Sequence, residues 1–120
     1  MPPAKSTKSL NVIINSIKSQ RGICEAVVLS REGSILYSHQ QRPFLVNSVP
    51  FVTTRVEQAG KIFNITNTRY VAMQRGNGRK LLIVVGPTLL LGLEADETCL
   101  QKDLIDNFLP LLQSHSLKKQ

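Results

Sequence analysis

Glycines and clustered cations occur together in one segment only, Arg75-Gly76-Asn77-Gly78-Arg79-Lys80. Amides freed by glycine beside Lys and Arg are what a phosphate group needs. A phosphate loop, however, leads from a strand into a helix N-terminus and carries the spacing G-x-x-x-x-G-K-[ST]. This run lacks the spacing and joins two strand-like patterns, so it reads as a hairpin tip. Arg75 and Arg79 are then candidate contacts for an acidic partner, with no nucleotide or other cofactor held between them. The two histidines, His39 and His115, have no Cys or carboxylate at metal-ligand or triad spacing. The acids between Glu94 and Asp106 cluster at a helix start, where they offset the helix dipole without acid–base work. Cys24 and Cys99 are far apart and form no CxxC, so two buried, reduced thiols are expected. No catalytic residue and no metal site is predicted, and the chain is expected not to be an enzyme.

Nucleic-acid chemistry is poorly served as well. The net charge is +7, but there are only two Tyr, four Phe and no Trp for base stacking, and no zinc-finger spacing. The charge is polarised: residues 1–80 hold twelve Lys/Arg and three acids, and residues 81–120 hold three and five. A basic half of this kind attracts nucleic acid, anionic lipid or an acidic protein face through the same electrostatics.

The elements that would position these groups are legible from periodicity. At 120 residues the chain suits a single domain. The division expected is a flexible basic tail over 1–8, the domain over 9–113 and a flexible tail over 114–120. No apolar run reaches the roughly 20 residues that span a bilayer, and no secretory signal is visible, so a cytoplasmic location is expected.

Leu10, Ile13, Ile14 and Ile17 mark a helix starting near Ser6 or Ser9 and ending at Arg21-Gly22. Ile23 to Leu29 and Ser34 to Ser38 read as a hairpin around Arg31-Glu32-Gly33. A second helix, capped at Asn47 or Ser48, carries Leu45, Val49, Val52, Val56, Ala59 and Phe63 at alternating steps of four and three. That seam suits either the chain's own sheet or another helix. Three strands follow: Arg69 to Met73, Lys80 to Val85 and Thr88 to Leu93. The last two are apolar on both faces and belong in the middle of a sheet, whereas the strand with Tyr70, Val71 and Met73 is mixed and belongs at an edge. Thr98-x-x-Gln101 resembles a capping box for a third helix buried along Leu100, Leu104, Ile105, Phe108, Leu111 and Leu112, which Pro110 should kink or end.

The order α-β-β-α-β-β-β-α, together with the hairpin Val27-Val28-Leu29-Ser30-Arg31-Glu32-Gly33-Ser34-Ile35-Leu36, resembles the roadblock family of dynein light chains and GTPase regulators. The resemblance implies an α+β sandwich with a five-stranded antiparallel sheet. It also implies a dimer in which the third strands pair and the second helices lie side by side. Here those elements are the Tyr70 strand and the seam helix, read above as an edge and as a stripe suited to its own sheet or to another helix. The expected interface is therefore Leu45, Val49, Val52, Val56, Ala59, Phe63, Tyr70, Val71 and Met73. The implied role is that of a non-catalytic homodimeric scaffold that binds a small Ras-like GTPase, although none of Arg31, Arg42, Arg55, Arg69, Arg75 and Arg79 stands out as an arginine finger. The alternatives are a light-chain subunit of a motor or trafficking complex, then a nucleic-acid module, with a profilin-like or longin-like monomer as the competing fold.

Overall fold

The computed structural model describes residues 2–39, 43–63, 68–74, 76 and 78–114, with the backbone alone at 2–9, 43 and 44. Its elements are α1 (Pro2–Ser19), β1 (Ile23–Ser30), β2 (Ile35–His39), α2 (Pro43–Ile62), β3 (Tyr70–Gln74), β4 (Lys80–Val85), β5 (Leu89–Ala95) and α3 (Gln101–Ser114). The strands form one antiparallel sheet in the order β2-β1-β5-β4-β3. The expected α+β architecture and element order are the observed ones.

Alternation along the strands divides the core in two. Ala26 and Val28, Leu82 and Val84, and Leu89, Leu91 and Leu93 face α1 and α3, where they enclose Ile13, Ile17, Leu104, Phe108 and Leu112. Val27 and Leu29, Leu81, Ile83 and Val85, and Leu90 face the opposite way and take Leu45 and Val49 of α2. β4 and β5 are thus covered on both sides, which is why they read as unbroken apolar runs. α2 sits very close to the sheet because Gly92 stands where it lands: a Cβ there would overlap the Val49 Cγ2 methyl and lie 3.3 Å from Val27 Cγ2.

Helix ends depart from the expected ones, each for a local reason. α1 begins at Pro2, so the backbone of the supposed tail is already helical. Pro2 and Pro3 fit a first turn, whose N–H groups have no acceptor anyway, and nothing before Ser9 breaks the helix. α2 begins at Pro43, ahead of Asn47 and Ser48, by the same preference of proline for a first turn. Pro50 is carried inside it.

The capping box at Thr98 does not form. Thr98 donates both its N–H (2.9 Å) and its hydroxyl to Asp96 Oδ1, closing a turn with Cys99 N–H on the Asp96 carbonyl (3.2 Å). α3 therefore starts at Gln101, and Leu100 is left exposed, not buried as the stripe predicts. Pro110 does not end α3, which runs on to Ser114. Residues 115–120, with His115 and most of the expected tail, lie outside the described residues.

The Asp96–Cys99 turn also secures the end of α1. Gly22, at φ +86°, accepts a 2.8 Å bond from the Asp96 N–H, and the Cys99 thiol donates to the Arg21 carbonyl at 2.9 Å. A side chain at position 22 would collide with Asp96 and Thr98 as well as strain the backbone. The bonds from Thr98 hold the Asp96 carboxyl below the usual carboxylate range, and burial pushes the Cys99 thiol up. Cys24 is free and half-buried instead of fully buried.

Candidate protein-docking face

The orientation of α2 decides which of its residues can meet another molecule. Leu45, Val49, Thr53 and Gly60 are buried on the sheet side, with the Thr53 hydroxyl bonded back to the Val49 carbonyl at 2.8 Å. At about 100° per residue, Glu57 and Ala59 fall on opposite flanks of that buried line. The Glu57 flank is fixed: its carboxylate accepts both 2.9 Å and 3.2 Å bonds from the Arg31 guanidinium in the β1–β2 turn. Arg31 reaches on to the Gly86 carbonyl at 3.4 Å, tying the two hairpin turns at this end of the sheet to α2. A cleft of about 220 Å³ opens beside this knot, lined by Arg31, Glu57, Thr68, Gly86 and Gln113 among others.

The other flank turns toward the β4–β3 side. It carries Val52, Arg55, Ala59 and Ile62, with Phe51 at its outer limit. Ile62 is 79% exposed, Phe63 just beyond it 72% and Phe51 59%, while Ala59 is open and Val52 and Val56 are half-buried. The Arg55 guanidinium stacks over the Phe51 ring at 4.9 Å. A large apolar side chain left in water is the informative case, and α2 exposes Phe51 at its middle and Ile62 at its C-terminal end, with Phe63 just beyond.

β3 completes the face. It pairs with β4 on one side, Tyr70 against Val84 and Met73 against Leu81, and among the described residues no strand pairs with its outer edge. Val71 and Met73 point to the α2 side with Leu81 and Ile83, whereas Tyr70 points to the α1/α3 side with Val84. Tyr70 and Met73 are both partly exposed, and Val71 packs on the α2 core.

The expected interface is therefore divided by the structure. Leu45 and Val49, at 0% exposure, are consumed by the chain's own core and reach no second chain. Val52, Val56, Ala59, Phe63, Tyr70, Val71 and Met73 lie on or beside the open face. Phe51, Arg55 and Ile62 belong to it and were missed; their spacings of four and seven are a second helical stripe, displaced from the first.

Of the loop cations, Arg75 lies outside the described residues. Arg79 is turned inward, 3.5 Å from the buried Glu94 carboxylate, which stands directly opposite buried Glu25 across β1 and β5. Among the described residues no group of His, Cys, Asp and Glu could hold a metal ion, and no helix is long and apolar enough to cross a membrane. What the face can do chemically is bond a backbone edge and cover an apolar flank.

No family model and no curated protein matches this chain. Solved structures do. A Roadblock/LC7 domain from Streptomyces avermitilis superposes with a TM-score of 0.70 at 18% identity, over 82% of this chain and 86% of that one. An MglB described with a tetrameric arrangement gives 0.72 at 15% identity, over 91% and 85%. A profilin from Schizosaccharomyces pombe gives a lower 0.56 at 14% identity, over 76% and 82%. At such identities the likeness establishes the fold, and the fold is that of the roadblock domains.

Proposed function

We propose that this roadblock-fold chain is a subunit of a dimeric, non-catalytic scaffold that binds and regulates a small Ras-like GTPase. The observation that carries the reading is the coincidence, on one side of the molecule, of the open β3 edge and the uncovered α2 flank. In the simplest form two copies pair there, joining two sheets into one and covering Phe51, Ile62, Phe63 and Met73. The tetrameric arrangement of one MglB supports self-association in chains of this fold. The GTPase role comes from the roadblock resemblance, and the net charge of +7 supports an acidic counterpart.

The test is surface-based binding kinetics against Ras-like GTPases of the same genome in both nucleotide states, comparing wild type with Ala59→Trp. Ala59 is exposed, so the bulky ring wedges the helices apart without entering the core. Binding by wild type and its loss in Ala59→Trp are expected. If every GTPase fails to bind while an extended peptide from a motor or tethering protein is captured, the light-chain reading replaces this one.

A further inference from the structure

The chain's two cysteines, far apart in sequence, converge on one short stretch of backbone. The Cys99 thiol donates to the Arg21 carbonyl at 2.9 Å, and the Cys24 thiol reaches the carbonyl of the next residue, Gly22, at 3.8 Å. One residue spans at most about 3.6 Å of chain, so both sulfurs border the same turn between α1 and β1. Gly22 makes room for this, since a Cβ there would stand 2.5 Å from the Cys99 sulfur. The turn that carries Cys99 is docked by the Asp96 N–H on the Gly22 carbonyl at 2.8 Å and closed by its own N–H on the Asp96 carbonyl at 3.2 Å. Cys24 has latitude to move toward it. The β1–β5 ladder pairs Ile23 with Ala95 and Glu25 with Glu94, so Cys24 is the extra residue of a bulge, with no place of its own in the register. Thiols are weak donors, and the two carbonyl bonds give way at little cost. The sulfurs differ in access: Cys24 is half-buried and Cys99 only 4% exposed. Burial foremost, then the charges of Asp96 and Cys24, push the Cys99 thiol up, so external reagents meet Cys24 first.

We propose that Cys24 and Cys99 are a modification site, joined in a reversible disulfide by exchange with a small external disulfide of the glutathione kind. In the first step the Cys24 thiolate attacks one sulfur of the external disulfide, forming a mixed disulfide and expelling one small thiolate, which takes up the proton that Cys24 gave up. In the second step Cys99 gives up its proton and attacks the Cys24 sulfur, expelling the second small thiolate, which takes up that proton. Two protein thiols are thereby oxidised to one disulfide and one external disulfide is reduced to two thiols, with no further oxidant required. The new bond fastens the α1–β1 junction to the turn that leads into α3. Excess small thiol runs both steps backward, which makes the pair a sensor of the thiol–disulfide balance around the protein.

The test is incubation of the reduced, folded protein in buffers of graded oxidised-to-reduced glutathione ratio, quenched with acid and read by intact mass and by non-reducing peptide mapping. Wild type should lose two hydrogen atoms, retain no glutathione and yield a Cys24–Cys99 cross-linked peptide, and excess reduced glutathione should restore it. Cys99→Ser should stop with one glutathione on Cys24, and Cys24→Ser should stay unmodified. The oxidised protein should melt roughly 10 °C above the reduced one, because the cross-link closes a long loop of the unfolded chain. The wild-type readout needs neither variant to fold. Wild type that does not react, that halts at the mixed disulfide, or that links Cys24 to another molecule overturns the proposal, as does a Cys24–Cys99 bond that forms only in urea.

Discussion

Replacing Gly92 with alanine tests the seating of α2 on the sheet, on which the whole docking face depends. The added methyl falls within the space of Val49 Cγ2 and 3.3 Å from Val27 Cγ2. Gly92 lies in β5, bonded to a strand on each side, so the sheet cannot yield and the helix must rise or Val49 must leave its rotamer. Overpacking of this kind costs about 1–3 kcal/mol. Alanine in a strand regains about 0.5–1 kcal/mol of chain entropy, which leaves a net loss of roughly 1–2 kcal/mol. With an unfolding entropy near 2.1 cal/mol/K per residue, that loss lowers Tm by roughly 4–8 °C. Val49→Ala alone removes two buried methyls, about 1.5 kcal/mol or more. Gly92→Ala/Val49→Ala lets the new methyl occupy the vacated volume, so the double variant should be more stable than the sum of the singles by about 1 kcal/mol. The assay is reversible urea unfolding of all four proteins at a concentration too low for pairing. Additivity within about 0.5 kcal/mol, or a Gly92→Ala protein more stable than wild type, would refute the close approach.

The Arg31–Glu57 pair, with side chains 32% and 37% exposed, should show a coupling of only about 0.2–1 kcal/mol in a double-alanine cycle, shrinking as salt is raised. Asp96 has a folded-state pKa below its unfolded value of about 3.9, so its contribution is complete above that value and is lost as pH falls through the folded one. Asp96→Asn should flatten the acid limb of stability, read as urea midpoints from about pH 6 down to about pH 2; an unchanged slope would count against the Thr98 bonds as its cause. Toward a thiol-alkylating reagent the half-buried Cys24 should react first, and Cys99, buried with its pKa raised, should react only on unfolding, as peptide mapping of a time course will tell.

The sheet was legible in the sequence because β4 and β5 must be apolar on both faces and β3 cannot be, a contrast that survives without any knowledge of neighbours. Helix starts were not, because Thr98 and Asn47 are good caps in isolation. Asp96 outcompetes the helix for the Thr98 hydroxyl, and Pro43 opens α2 before Asn47 is reached. The docking face was half legible. A seam of Leu45, Val49, Val52, Val56, Ala59 and Phe63 is a true stripe, but periodicity gives a direction around the helix and not the identity of what lies there. Its first turns meet the chain's own sheet, and the glycine that lets them do so, Gly92, lies far downstream of Val49 in the sequence, with no local sign at α2. Ile62 and Phe51 look like ordinary helix residues until the Glu57–Arg31 bonds fix which flank faces outward.

Among the described residues no strand pairs with the outer edge of β2 either, and the proposed pairing at β3 would do nothing to close it. An assembly with two bare strands at its extremities could in principle recruit further chains and grow into a fibre. Here the strand is five residues long, and its ladder to β1 slips between Val28 and Leu29, where Ile35 replaces the residue that unbroken register would supply. The slip increases the local twist and leaves an incoming segment few consecutive bonding positions in line. If the proposed pairing at β3 holds, growth of the sheet is favoured at that edge and discouraged at β2, so an assembly would stop at one companion.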